Sequence, residues 1–260
     1  MKFCFGGLLA TLVLAASVRA EVVESVVDYV ADQTAMKGVL IFDDASTDKR
    51  PAVVVVPEWW GVNEYAKARG RMLAGLGYVA FVADMYGNGN VTTDPKVAGE
   101  WAGAVKGDRP LMRTRVNAAV GTTKAQALVN AEKVAAIGYC FGGTTVIELA
   151  LSGADVQGVA SFHGGLEFPT LAADAGKVQA GVLVLHGDAD PMVPATEVTA
   201  LEDALKQAGK AVEIVRYESA AHGFTNPDAD KIGFPGVKYN EAADKDSWEK
   251  LKKFLAKVFE

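Results

Sequence analysis

Cysteine is nearly absent from this chain of 260 residues: only Cys4 and Cys140 occur, too few for a disulfide framework. Histidine is nearly as scarce, and His163, His186 and His222 are scattered without ligand spacing, so no metal and no other cofactor is implied. No basic run is present to meet nucleic acid or an anionic membrane surface. Beyond residue 20 no apolar stretch is long enough to span a bilayer, and there is no internal repeat or low-complexity linker.

What the chain does have begins with its first 20 residues, which join Lys2 to an apolar stretch at 3–16 and end on the small Ala20. That pattern predicts a secretory signal peptide, and hence an exported protein, periplasmic or secreted. Loss of the segment removes Lys2 and Arg19 from the 26 basic residues and none of the 32 acidic ones, leaving a net charge of −8. It also removes Cys4, so Cys140 becomes the one thiol of an exported protein and needs an explanation. Residues 21–260 suit one large α/β domain. Nothing in the pattern sets an oligomeric state, and a monomer is compatible with it.

Short β-branched runs at 53–57, 78–84, 134–140, 156–162, 182–187 and 212–217 alternate with helical spacing at 63–76, 94–105, 109–128, 141–151, 196–208 and 243–259. The runs are apolar throughout, as in parallel strands covered on both faces. The expectation is an α/β fold, a mostly parallel central sheet with helices on both faces. Segments 21–29 and 37–43 read as antiparallel edge strands, and 86–90 and 226–240 as loops over the strand ends, where such sheets place ligands.

Gly138-Tyr139-Cys140-Phe141-Gly142-Gly143 follows one of these strands and opens a helix. In a strand–turn–helix elbow, side chains two residues before or after the nucleophile would strike backbone, so glycine flanks it and Cys140 stands exposed at the tip. The helix start directs N–H groups and partial positive charge toward the sulfur and any developing oxyanion. The run at 182–187 leads into His186-Gly187-Asp188-Ala189-Asp190-Pro191, and after the last run comes Ala221-His222-Gly223-Phe224. Nucleophile, acid and histidine in that order are the α/β-hydrolase arrangement, with Asp190 favoured over Asp188 as the acid. His163 and His186, each ending a strand, read as packed residues whose ring nitrogens are satisfied by nearby backbone.

With Pro57-Glu58-Trp59-Trp60-Gly61 and Asp84-Met85-Tyr86-Gly87 added to the elbow, to GDADPMVP and to HGF, the chain resembles the dienelactone hydrolase family from about residue 37 to its end. The resemblance implies an α/β-hydrolase fold and hydrolysis of small esters or lactones through Cys140, His222 and Asp190. It implies an oxyanion hole from the backbone N–H groups of Trp59 and Phe141, and a glutamate, Glu58, touching the resting thiol. Independently, a carboxylate beside Cys140 would disfavour the thiolate and keep the sulfur protonated until substrate arrives. Trp60, Tyr86, Asn88 and Asn226 are expected at the substrate. Asn88 and Asn226 stand where the family carries carboxylate-binding arginines, and an uncharged donor is worth about 1 kcal/mol against about 1.5–3 for a charged one. Preference for neutral esters or lactones follows, unless Arg69, Arg71, Arg109 or Lys231 restores the charge. Two other readings stay open: an acyltransferase that passes the acyl group to an alcohol, and a non-catalytic small-molecule-binding scaffold with a redox-sensitive thiol.

Overall fold

The computed structural model describes residues 21–260; the expected signal peptide lies outside the described residues. In chain order the elements are β1 (Val22–Ala31), β2 (Thr34–Asp43), β3 (Arg50–Val56), α1 (Glu64–Ala74), β4 (Val79–Val82), α2 (Pro95–Gly107), α3 (Arg109–Lys124), β5 (Val129–Tyr139), α4 (Phe141–Leu151), β6 (Gly158–Phe162), α5 (Leu171–Asp174), β7 (Gly181–Gly187), α6 (Ala195–Gln207), β8 (Val212–Tyr217), α7 (Ala229–Ile232) and α8 (Glu241–Val258). Side-chain caps start several of the helices: Asn63 accepts from the Ala66 N–H, Asp108 from Leu111 and Asn240 from Ala243.

The strands form one sheet in the order β1-β2-β4-β3-β5-β6-β7-β8, parallel from β4 to β8. Strand β2 runs antiparallel to both its neighbours. The edges are therefore β1 and β8; the expectation that β2 is an edge strand as well as β1 is corrected, because β4 covers β2.

Strand β3 explains why the apolar runs do not alternate. Val54 and Val56 pack on one face with Met112 and Val116 of α3, Val146 of α4 and Leu201 of α6. Val53 and Val55 pack on the other with Ala66 and Leu73 of α1 and Leu251 and Leu255 of α8. With side chains alternating between two covered faces, every position must be apolar. The parallel strands all end at one edge, and there β3, β5, β7 and β8 release Glu58, Cys140, Asp190 and His222.

Candidate active site

Cys140 occupies the tight turn between β5 and α4 with φ +52°, a left-handed conformation that costs a residue with a side chain about 1 kcal/mol or more. The neighbouring glycines are required by backbone contact. A Cβ on Gly138 would lie 2.0 Å from the Gly142 carbonyl oxygen, and one on Gly142 2.1 Å from that of Val56. Cys140 makes no side-chain cap to α4, so its thiol is free for other partners. It is half-buried rather than exposed, because the histidine loop closes over the turn.

That closure brings the three expected residues into line. His222 Nε2 is 3.0 Å from Cys140 Sγ, and His222 Nδ1 donates to Asp190 Oδ2 at 2.7 Å. The other carboxylate oxygen of Asp190 accepts from the Met192 N–H at 2.8 Å. His222 is held on both sides by backbone, its N–H donating to the Gly236 carbonyl and its own carbonyl accepting from Lys238. Burial opposes the imidazolium, but the sulfur and Asp190 outweigh it and hold the His222 pKa well above the ordinary imidazole value. Asp188, not chosen as the acid, pairs instead with Arg216 at 2.7 Å.

Cys140 and His222 line a cavity of about 290 Å³ with Trp59, Phe141, Met192 and Val193, and with Gly99, Ala102, Gly103 and Lys106 of α2. Neither the Trp59 nor the Phe141 N–H has an acceptor among the described residues. A larger cavity of about 670 Å³ holds Trp60 and Asn226 but neither Cys140 nor His222. The consecutive tryptophans thus serve different cavities, and Trp60 is not at the thiol.

Glu58 also differs from expectation. It is buried, and its Oε2 accepts from Asn226 Nδ2 at 2.8 Å, while the sulfur's partner is His222. Lying two residues after β3, its side chain meets the loop that follows His222 instead of the elbow. Burial pushes its pKa up to about 7, against the lowering effects of Asn226, His222 and Arg69.

The remaining substrate candidates divide similarly. Tyr86 packs on Phe141 with ring centroids 5.6 Å apart, and its hydroxyl donates to the Trp59 carbonyl at 3.1 Å, so it braces the peptide beside the thiol. Asn88 is exposed, left-handed at φ +58°, and its N–H bonds the Ala35 carbonyl; it does not line the cavity. Asn226 is committed to Glu58.

The four cations offered as substitutes for the missing arginines are engaged elsewhere: Arg69 with Asp244, Arg71 with Glu24 and Glu64, Arg109 with Glu148, and Lys231 with Asp228. The cation at the cavity is Lys106, whose ammonium lies beside Gly165. Its signal was the helical spacing of Gly99, Ala102, Gly103 and Lys106, which puts all four on one face of α2. Asp84 was missed as a scaffold: fully buried, it accepts from the N–H groups of Lys37, Tyr86, Gly87 and Gly89 and so shapes the loop that presents Tyr86.

His163 and His186 are both buried, as expected, but not satisfied by backbone alone. His163 Nδ1 accepts from the Cys140 N–H at 3.1 Å and its Nε2 meets Thr225 Oγ1 at 2.8 Å. His186 Nδ1 has no partner, and its Nε2 is 3.7 Å from Asp188. Among the described residues no group of three His, Cys, Asp or Glu is close enough to hold a metal ion, and no helix is long and apolar enough to cross a membrane.

Comparison with known proteins agrees across nearly the whole of this architecture. The family model described as "Dienelactone hydrolase family" matches residues 36–259. A solved structure named m3DLH is 37% identical, with a TM-score of 0.87 over 92% of this chain and 99% of that one. A dienelactone hydrolase-like promiscuous phosphotriesterase from metagenomic libraries is also 37% identical, with a TM-score of 0.88 over the same shares. A protein of Methylorubrum extorquens that carries the name carboxymethylenebutenolidase is 30% identical over 185 residues, 67% of this chain and 63% of that one.

Proposed function

The chain belongs to the dienelactone hydrolase family and is a hydrolase of ester or lactone bonds, and from that premise we propose that it acts on small substrates through a Cys140–His222–Asp190 triad and a thioester intermediate. The observation that carries this reading is the continuous line from Cys140 Sγ through the His222 ring to Asp190 Oδ2, opening on a cavity of about 290 Å³. With Nδ1–H donated to Asp190, Nε2 holds the proton given up by the thiol, and sulfur attacks the carbonyl carbon. The free N–H groups of Trp59 and Phe141 receive the tetrahedral oxyanion. Collapse breaks the C–O bond, the leaving oxygen takes the proton from His222, and the acyl group stays on sulfur. Water, deprotonated by the same Nε2, then attacks the thioester and restores the thiol. Glu58, hydrogen-bonded to Asn226, supports the His222 imidazolium by its charge when ionised.

Small, strained or activated esters suit both the cavity and a thiolate leaving group. The test is a panel of nitrophenyl esters, lactones and a neutral phosphotriester, the last because one relative acts on that class. Hydrolysis with hydroxylamine-trappable acyl enzyme supports the reading, transfer to added alcohol in preference to water favours an acyltransferase, and absence of turnover on every member favours a binding scaffold. We further propose export with loss of residues 1–20. N-terminal sequencing should begin at or near Glu21; a mature chain that retains Cys4 would contradict it.

A further inference from the structure

Five residues other than glycine have positive φ among the described residues. Asp32 and Gln33 form the turn between β1 and β2, and Asn88 lies in the glycine-rich loop. The other two, Cys140 (φ +52°) and His163 (φ +40°), are hydrogen-bonded to each other. Two strained backbones joined in this way, one of them carrying the thiol, call for a physical reason.

The donor in that bond is the Cys140 backbone N–H, shared between the Phe162 carbonyl at 3.0 Å and His163 Nδ1 at 3.1 Å. A backbone N–H can only donate, so Nδ1 must present its lone pair and the ring proton must sit on Nε2. Nε2–H is then donated to Thr225 Oγ1 at 2.8 Å. Thr225 lies three residues after His222 and is itself pinned: its hydroxyl meets the Tyr65 hydroxyl at 2.7 Å, and its carbonyl accepts from Arg69 at 2.5 Å. Arg69 is held in turn by Asp244 at 2.6 Å. His163 is 1% exposed, so no solvent competes for either nitrogen. Its ring meets the His222 ring edge-on with centroids 5.4 Å apart. Burial, with the nearby His222 and Arg69, disfavours the charged ring, so both bonds persist through the neutral pH range.

We propose that His163 is a positioning residue for the reacting pair: a neutral strut whose Nδ1 holds the Cys140 backbone and whose Nε2–H holds the His222 loop at Thr225, fixing the 3.0 Å separation of sulfur and imidazole. The proposal rests on the reading of Cys140 and His222 as nucleophile and base. It differs from a packing role because each nitrogen acts on a different member of the pair. Elbow and loop are 82 residues apart along the chain, and this side chain bonds to both.

The experiment compares His163→Phe, His163→Gln, His163→Asn and Thr225→Val. Phenylalanine removes both bonds at similar volume. Glutamine places an amide near Nε2 and loses the Cys140 bond, whereas asparagine places an acceptor near Nδ1 and loses the Thr225 bond. Two quantities are read per reactive thiol: the acylation rate constant with a nitrophenyl ester, and the pH profile of iodoacetamide alkylation, which needs no substrate. His163→Phe should slow acylation at least about tenfold with KM within about twofold, as misplacement of reacting groups does. Its alkylation profile should move to higher pH. Gln and Asn should each fall in between, and His163→Asn combined with Thr225→Val should be no worse than Thr225→Val alone, which already breaks the same bond together with the one to Tyr65. Wild-type acylation and an unmoved profile in His163→Phe, with only melting temperature or reactive fraction reduced, would overturn the proposal. If that variant does not fold, the Asn/Val pair decides: additive losses refute the strut and non-additive losses support it. A parallel Cys140→Ala keeps the outcomes separable, because activity surviving there defeats the nucleophile reading and leaves the alkylation result to judge His163.

Discussion

At the N-terminal end of α4, Cys140, His222, Asp190 and Glu58 are hydrogen-bonded to one another or to Asn226 and backbone, with no lysine or arginine in hydrogen-bonding contact. On the same helix the fully buried Glu148 lies between Arg109 at 3.2 Å and Arg113 at 2.6 Å, and Arg113 continues to Asp174, which Lys177 also meets at 2.7 Å. The two clusters use similar side chains to opposite ends. Burial opposes the Asp174 charge, but Lys177, Thr170 and Arg113 outweigh it and hold that carboxyl well below the ordinary range. Permanent cations keep such a carboxylate charged at any working pH, which ties helices together and gives it no proton to move. Without them, burial pushes Glu58 up to about 7, while sulfur and carboxylate hold on to the proton of His222.

The largest effect separating the clusters should come from the first. Cys140→Ala and His222→Ala are each expected to lower kcat by about 10³-fold or more, with little change in melting temperature. Steady-state assay beside calorimetry checks this, and esterase activity surviving in Cys140→Ala would erase the distinction. Glu148→Gln should do the reverse. Removing the acid from a buried pair costs about 3 kcal/mol, so the melting temperature should fall by roughly 6–12 °C. Turnover per reactive thiol should stay within about twofold, and a larger loss would mean that the ion network also shapes the elbow.

Glu58 sharpens the contrast through pH. Its folded pKa of about 7 exceeds the ordinary 4.5, so the native state binds the proton more tightly than the unfolded chain. The stabilisation this gives is complete below about pH 4.5 and is lost as pH rises through about 7. Against Glu58→Gln, the wild type should therefore lose about 2–3 kcal/mol across that window, read by urea denaturation at pH 4.5 and 8. A difference independent of pH would place Glu58 with the permanently charged cluster. The smallest effect belongs to Lys106. It reaches the cavity but is exposed, and a solvated ion pair is worth no more than about 1 kcal/mol. Lys106→Met should lower kcat/KM for a carboxylate-bearing lactone at most about fivefold relative to a neutral ester. A tenfold or larger change would identify this lysine as a principal substrate contact, against the expectation of a neutral-substrate site.

The amino-acid sequence by itself determined the layered sheet, because apolar runs without alternation leave no face for water. It determined the elbow as well, because Gly138 and Gly142 are required by backbone contacts within the same short segment. The order Cys140, Asp190, His222 was legible for a related reason: each residue follows a recognisable strand, and parallel strands deliver their ends to one edge. Partners across loops had no such signal. That Glu58 meets Asn226 rather than the thiol, that Trp59 and Trp60 face different cavities, that Lys106 reaches the thiol's cavity while Asn88 does not, and that His163 joins the elbow to Thr225 were decided by tertiary structure alone. Glu58 and Asn226 are separated by 168 residues, and their contact depends on how the loops after β3 and β8 pack. Hydrogen bonds weaken steeply within a fraction of an ångström and a few tens of degrees, and no periodicity in sequence encodes a distance between loops to that tolerance.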